Sequence, residues 1–191
     1  MIYLIDTDYL RSNATSLDAN ISDKYLLQTI LEVQDIKLQQ YLGTRLYRSL
    51  LEKVDNNDVD GIYKTLLDDY ITYFLQYEVL SELVFVTSYK TGNAGTVEAT
   101  DEKLTQVRIN EIVLLKNFYE KKANFYAKRL VNFLIENIRS IEELSDNCGC
   151  SYDIQPNLDK NSIESVGLWL GGKRNVNTSH INKITKKHCC R

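Results

Sequence analysis

Two long stretches of the chain carry apolar residues at alternating steps of four and three, the spacing that lines one face of an α-helix. In the first, Leu66, Tyr70, Tyr73, Tyr77, Leu80, Val84 and Thr87 form a seam within a helix predicted from about Asp60 to Lys90. In the second, Tyr119, Ala123, Tyr126, Leu130, Phe133 and Asn137 form a matching seam in a helix predicted to begin after Thr100 and to end near Ile138. Paired seams of this kind predict two helices packed along their length. Tyr63, Phe74 and Phe85 lie off the first seam, so that helix is expected to be covered on more than one side. Its β-branched end, VFVTSY, could pass for a strand, but the helical phase runs into it, and TGNAGT is expected to end it in a polar loop from Thr91 to about Asp101. A continuous second helix would be roughly 57 Å long at about 1.5 Å per residue. That length outruns a compact chain of this size, so the helix is expected to kink near Arg108 to Glu111 or to project toward another molecule.

Ahead of the seams, Met1 to Asp6 reads as an extended lead, and Thr7 or Asp8 as the cap of a brief helix through Asn13. Ser22 is placed to cap a helix from about Asp23 to Leu42, with Leu26, Ile30, Val33, Ile36, Tyr41 and Leu42 as its apolar positions and Gly43 as its C-cap. Thr44 then opens another helix, with Leu46, Leu50 and Val54 on its buried face, ending in the turn-rich DNNDVDG. After Leu144 the periodicity stops. IESVGLWLGG alternates enough for a short strand, with Val166, Leu168 and Leu170 on one side and Gly167 and Trp169 on the other. An exposed Leu-Trp-Leu needs a partner surface. The expected fold class is therefore mainly α: a bundle of antiparallel long helices with short N-terminal helices and an extended C-terminal tail. Residues 1–144 form the bundle domain and 145–191 an extended assembly arm.

Charge refines this division. The 191 residues have a net charge of −3, yet 173–191 hold six basic residues and no acid, leaving 17 basic against 26 acidic residues, or −9, over 1–172. An acidic body repels free nucleic acid, and the basic end suits an acidic neighbour or a phosphate backbone. No run approaches the roughly 18 apolar residues of a membrane span, and Asp6 and Asp8 interrupt the N-terminus too early for a signal sequence. The chain is read as soluble and unexported, without a membrane partner. The N-x-S/T matches at Asn13, Asn20 and Asn177 are then chance.

Candidate chemistry is sparse. Cys148, Cys150, Cys189 and Cys190, with His180 and His188, are the right ligand types for zinc, but a C-x-C and a vicinal pair are poor zinc spacings, and free thiols are the simpler reading. Both histidines sit in the basic end, a weak platform for nucleophilic catalysis. Asp55/Asp58 and Asp68/Asp69 suit a solvated surface rather than general acid–base work. GGKR lacks the rest of a phosphate loop. No catalytic group, cofactor or metal is expected, and the chain is not read as an enzyme. The candidate protein-interface residues are Leu168, Trp169, Leu170, Lys173 and Arg174.

YLLQTILEVQDIKLQQYLGTRLYRSLLEKV, LLKNFYEKKANFYAKRLVNFLIEN, DNCGCSYDIQPN and VGLWLGG, in this order, resemble the head-tail connector (adaptor or neck ring) proteins of tailed bacteriophages, closest to those of Bacteroides-infecting and crAss-like phages. The resemblance covers roughly Ile5 to Gly172 and leaves NVNTSHINKITKKHCCR unmatched. It implies a structural virion subunit at the head-tail junction, assembled in the bacterial host cytoplasm. Such subunits form a ring, usually of twelve copies, that docks to the portal protein, meets other neck and tail proteins and extends the DNA channel toward the tail. The DNA passes through without sequence-specific binding, and no reaction is implied. The alternative is a helical nucleic-acid-binding regulator using its basic C-terminal tail.

Overall fold

A helix with almost no polar face organises the molecule. Helix α5, Thr72–Ser88, buries Phe74, Leu75, Gln76, Glu78, Val79, Leu80, Ser81 and Leu83, which point in every direction around its axis. A helix apolar all round must be enclosed, as the off-seam aromatics predicted. The computed structural model in which this is seen describes residues 1–14, 17, 21–92, 95–98, 109–145 and 154–159. The chain is mainly α.

Helix α1, Thr7–Asn13, is capped by Asp6, whose carboxylate accepts from the Tyr9 N–H. The cap lies one or two residues before the expected Thr7 or Asp8, because Asp6 is the residue that keeps extended backbone. Helix α2, Asp23–Glu32, runs without interruption through a π-helical stretch, Val33–Leu38, into α3, Gln39–Asp55. Ser22 occupies the N-cap position of α2, although its side chain makes no cap bond. The π stretch corrects one expectation: Leu38 is fully buried, whereas Ile36 is 58% exposed. Five-residue hydrogen bonding shifts the helical phase, so the buried line steps from Val33 to Leu38 to Leu42 and leaves Ile36 outside.

Gly43 does interrupt this rod, with φ 72° and ψ 161°, but helix resumes at once. Leu46 and Leu50 are fully buried, as their spacing predicted. Helix α4, Gly61–Leu66, passes through a second π stretch, Leu67–Ile71, into α5. The expected polar loop after α5 is instead an antiparallel hairpin of β1, Tyr89–Gly92, and β2, Gly95–Glu98, with Tyr89 opposite Glu98 and Gly92 opposite Gly95. Two glycine-flanked runs only two residues apart are as compatible with such a pairing as with an open loop.

Helix α6, Ile109–Glu136, is followed by turns and the short α7, Glu142–Ser145. Its 28 residues span about 42 Å. The expected start near Thr100 lies outside the described residues. The two predicted seams meet: Tyr70 faces Phe133 with ring centroids 4.4 Å apart, and Tyr126 stacks on both Tyr73 and Tyr77 at 5.3 and 5.4 Å. These pairs fix α6 antiparallel to α5. Fully buried Ala123 and Ala127 allow the backbones to approach. Asn137 lies beyond the helix end, where its amide donates to the Phe133 carbonyl.

On another side of α5, Lys37 reaches Glu78 at 3.5 Å and Tyr41 packs edge-on against Phe74. The rod from α2 as far as Tyr41 therefore also runs antiparallel to α5. Residues 154–159 return to this rod as an extended strap. The Thr44 N–H donates to the Ile154 carbonyl at 2.9 Å, the Asn157 N–H donates to the Gln40 carbonyl at 2.8 Å, and Leu158 packs on the main core.

Candidate protein-interaction site

The outer face of α6 carries what the seams do not explain. Leu114, Phe118, Lys121 and Phe125 recur at steps of four, three and four on the side turned away from Ala123 and Ala127, and Leu114, Phe118 and Phe125 are 68%, 51% and 59% exposed. Between this face and α5 runs a groove of about 440 Å³ lined by Tyr77, Phe118, Lys121, Lys122, Phe125 and Tyr126. The Lys122 ammonium lies 4.2 Å from the Phe118 ring centroid and 5.1 Å from that of Tyr77, so the ring faces hold the charge at the groove wall. Burial, and then the neighbouring phenols of Tyr126 and Tyr73, raise the pKa of Tyr77. The groove is thus cationic and aromatic, its phenol staying neutral.

A second groove, about 370 Å³, opens toward the start of α6, among Leu80, Leu83, Val84, Ile112, Leu115 and Tyr119. Its walls are mostly aliphatic. Leu114, Phe118 and Phe125 leave much of the outer surface of α6 apolar, and contiguous exposed apolar surface marks an interaction site more often than scattered residues do.

The buried polar groups have structural work. Glu143 of α7 accepts from Ser49 of α3 and, at 2.7 Å, from the Tyr63 hydroxyl of α4. Burial opposes the Glu143 charge, but these two hydrogen bonds outweigh it and hold the carboxyl below its ordinary pKa. Burial and the bond to Glu143 push the Tyr63 phenol up to about 12. Three helices are tied at one point. Glu78 has its pKa raised, chiefly by burial, with Lys37 acting against the shift and Glu82 and Glu120 adding to it. The Ser49 hydroxyl does meet a carboxylate in Glu143, but the lowered pKa of that group makes it a weak base.

Leu168, Trp169, Leu170, Lys173 and Arg174 lie outside the described residues, as do all four cysteines and both histidines. Asp55, Asp58, Asp68 and Asp69 are exposed. Among the described residues no group of three or more His, Cys, Asp or Glu side chains could hold a metal ion, and no helix is long and apolar enough to cross a membrane. The sequence did contain a signal for the α6 outer face: Leu114, Phe118 and Phe125 keep step with one another while lying off the seam.

Residues 38–154 match the model of DUF6712, a family of unknown function. This chain belongs to the DUF6712 family. Comparison with curated proteins and with solved structures gives no match. The DUF6712 region takes in the Gly43 break, the Glu143 junction, the α5–α6 seam and the whole outer face of α6, and it stops at the first residue of the strap.

Proposed function

We propose that this DUF6712 protein is a structural virion subunit, a head-tail connector or adaptor that forms a ring, docks to the portal and extends the DNA channel toward the tail. The observation that carries this reading is the outer face of α6, an exposed aromatic and aliphatic surface on a rigid helix, where protein contact is the simplest use of such side chains. The resemblance supports it: QDIKLQQYLGTRLY covers the first π stretch and the Gly43 break, and ANFYAKRL covers the centre of the α6 seam. The Glu143 and Glu78 sites are accounted for as ties between helices, leaving a scaffold whose surface does the work.

The test is assembly. Full-length protein mixed with portal rings should give a defined ring-on-ring complex by electron microscopy and mass measurement. Trp169→Ala should weaken that complex by about 2 kcal/mol, since buried aromatics carry a large share of interface energy. Portal that never captures the protein, paired with salt-sensitive DNA binding that disappears on removal of residues 173–191, would instead favour the nucleic-acid-binding regulator.

A further inference from the structure

We infer that the segment after the strap, residues 160–174, docks on its own chain, along the exposed edge of the rod formed by α2 and the first π stretch. The docked side carries Val166, Leu168 and Leu170, and the opposite side leaves Trp169 outward for another molecule. The contact is made within one subunit and needs no ring.

The path of the strap leads there. At the Gly43 break the strap meets two groups that pair with each other in an ordinary helix, the Thr44 N–H and the Gln40 carbonyl. Thr44 donates to Ile154 and Asn157 donates to Gln40, so the chain travels from Thr44 back along the rod in the direction of Ile36. Asn157 then accepts from the Asp159 N–H at 3.1 Å in a tight turn that sets Leu158 on the core and leaves Asp159 exposed. From Gln40 the rod rises about 6 Å to Ile36 and about 22 Å to Tyr25, at about 1.5 Å per residue. Residues 160–170 span up to about 36 Å when extended, so Leu168 and Leu170 can reach any point of that edge.

The edge suits this segment in shape and charge. Tyr25, Gln28, Glu32, Ile36 and Gln40 follow one another at steps of three and four, and all are exposed, so they form one edge continuous with the strap's own site. Ile36, 58% exposed, and Tyr25, 37% exposed, are its apolar groups. Glu32 and Asp35 make the part around Ile36 negative, since Lys37 is drawn to Glu78 at 3.5 Å and Lys24 lies at the far end beside Tyr25. Residues 160–174 set Lys160, Lys173 and Arg174 against Glu164, a net charge of +2, and 175–191 add four basic residues and no acid. The α6 groove is the competing apolar surface, but Lys121 and Lys122 in its wall repel such a segment. Charge therefore selects the rod edge, and the apolar side chains supply the burial.

A benzophenone amino acid in place of Ile36 in the full-length protein tests this by photo-crosslinking and peptide mapping. Mixing chains of natural and nitrogen-15 composition tells a crosslink within one chain from one between two. In dilute solution the expected product joins position 36 to residues 160–174 of the same chain. Gln28→Lys with Glu32→Lys, checked for helical content by circular dichroism, should lower its yield about threefold or more through like-charge juxtaposition. Should that variant lose helicity, Leu168→Ser with Leu170→Ser removes the apolar side instead and should lower the yield as much. A benzophenone at position 125, in the α6 groove, should leave the segment uncrosslinked. Crosslinks between isotopically different chains, which would put the segment on a second copy, overturn the inference. So do the absence of any crosslink from position 36 to residues 160–174, a yield unmoved by the substitutions, or a higher yield from position 125. Portal capture, measured separately, decides the ring reading and is independent of these outcomes.

Discussion

Gly43→Ala tests how the strap and the rod hold each other. At φ 72° and ψ 161° the backbone occupies a region almost exclusive to glycine, and an L-residue there costs about 1–3 kcal/mol. An added Cβ would lie 2.6 Å from Pro156 Cδ, 2.8 Å from Pro156 N and 3.3 Å from the Ile154 carbonyl oxygen. Two of those neighbours are backbone, so no rotamer change relieves the overlap and the strap must move. Movement removes the bonds from Thr44 N–H to Ile154 and from Asn157 N–H to Gln40, worth about 0.5–1.5 kcal/mol each. The two effects together come to about 2–6 kcal/mol. With a urea m-value of about 2 kcal/mol/M, the unfolding midpoint should fall by about 1–3 M. Hydrogen exchange separates the causes: the Thr44 amide should lose protection in the variant while amides within α5 keep theirs relative to global stability. A midpoint within about 0.25 M of wild type, or a Thr44 amide as protected as before, would refute the reasoning.

Glu143→Gln should destabilise the fold by about 1–2 kcal/mol at pH 7, because Ser49 and Tyr63 then donate to a weaker acceptor. Since the folded-state pKa of Glu143 is depressed, its stabilisation is present above the ordinary value of 4.5 and lost as pH falls through the folded value; urea midpoints of the two proteins should converge at low pH. Glu78 has the opposite sign: its raised folded pKa makes the ionised group a burden above that value, so Glu78→Gln should be more stable than wild type at pH 8, by thermal unfolding, with the gap closing as pH falls toward 4.5. Ala127→Leu forces extra volume between α5 and α6 and should cost about 1–3 kcal/mol in the same assay; no loss would mean the seam is looser than its aromatic distances imply.

The seams were legible because their steps of four and three persist through α5 and α6, and long periodic runs outweigh local propensity. The enclosure of α5 was legible for a related reason: Phe74 and Phe85 fall out of phase with the seam and need cover of their own. The hairpin at Tyr89–Glu98 was not, because polar residues and paired glycines suit a loop as well as a tight turn. Nor could the strap be foreseen. Gly43 signalled a break, but what fills the space beside a missing side chain is a contact between residues more than a hundred apart, and nothing local in IQPNLD names its partner.

Ile36 shows how one local departure redirects a helix face. Its spacing groups it with Leu26, Ile30 and Val33, and at 3.6 residues per turn an ordinary α-helix would have set it at the edge of their face. The π stretch at Val33–Leu38 inserts one residue into the turn, sends Leu38 inward and turns Ile36 out beside Glu32 and Asp35. Such an insertion weakens local hydrogen-bond geometry, and π stretches persist mainly where they serve a function. Here it sets an apolar and an acidic group, Ile36 and Asp35, side by side on the exposed edge of the rod. A sequence rule that is broken at a single place, without loss of core packing, points to what that place does for the surface. On this reasoning the first π stretch serves the exposed edge of α2, while Leu38 and Leu42 keep the core filled behind it.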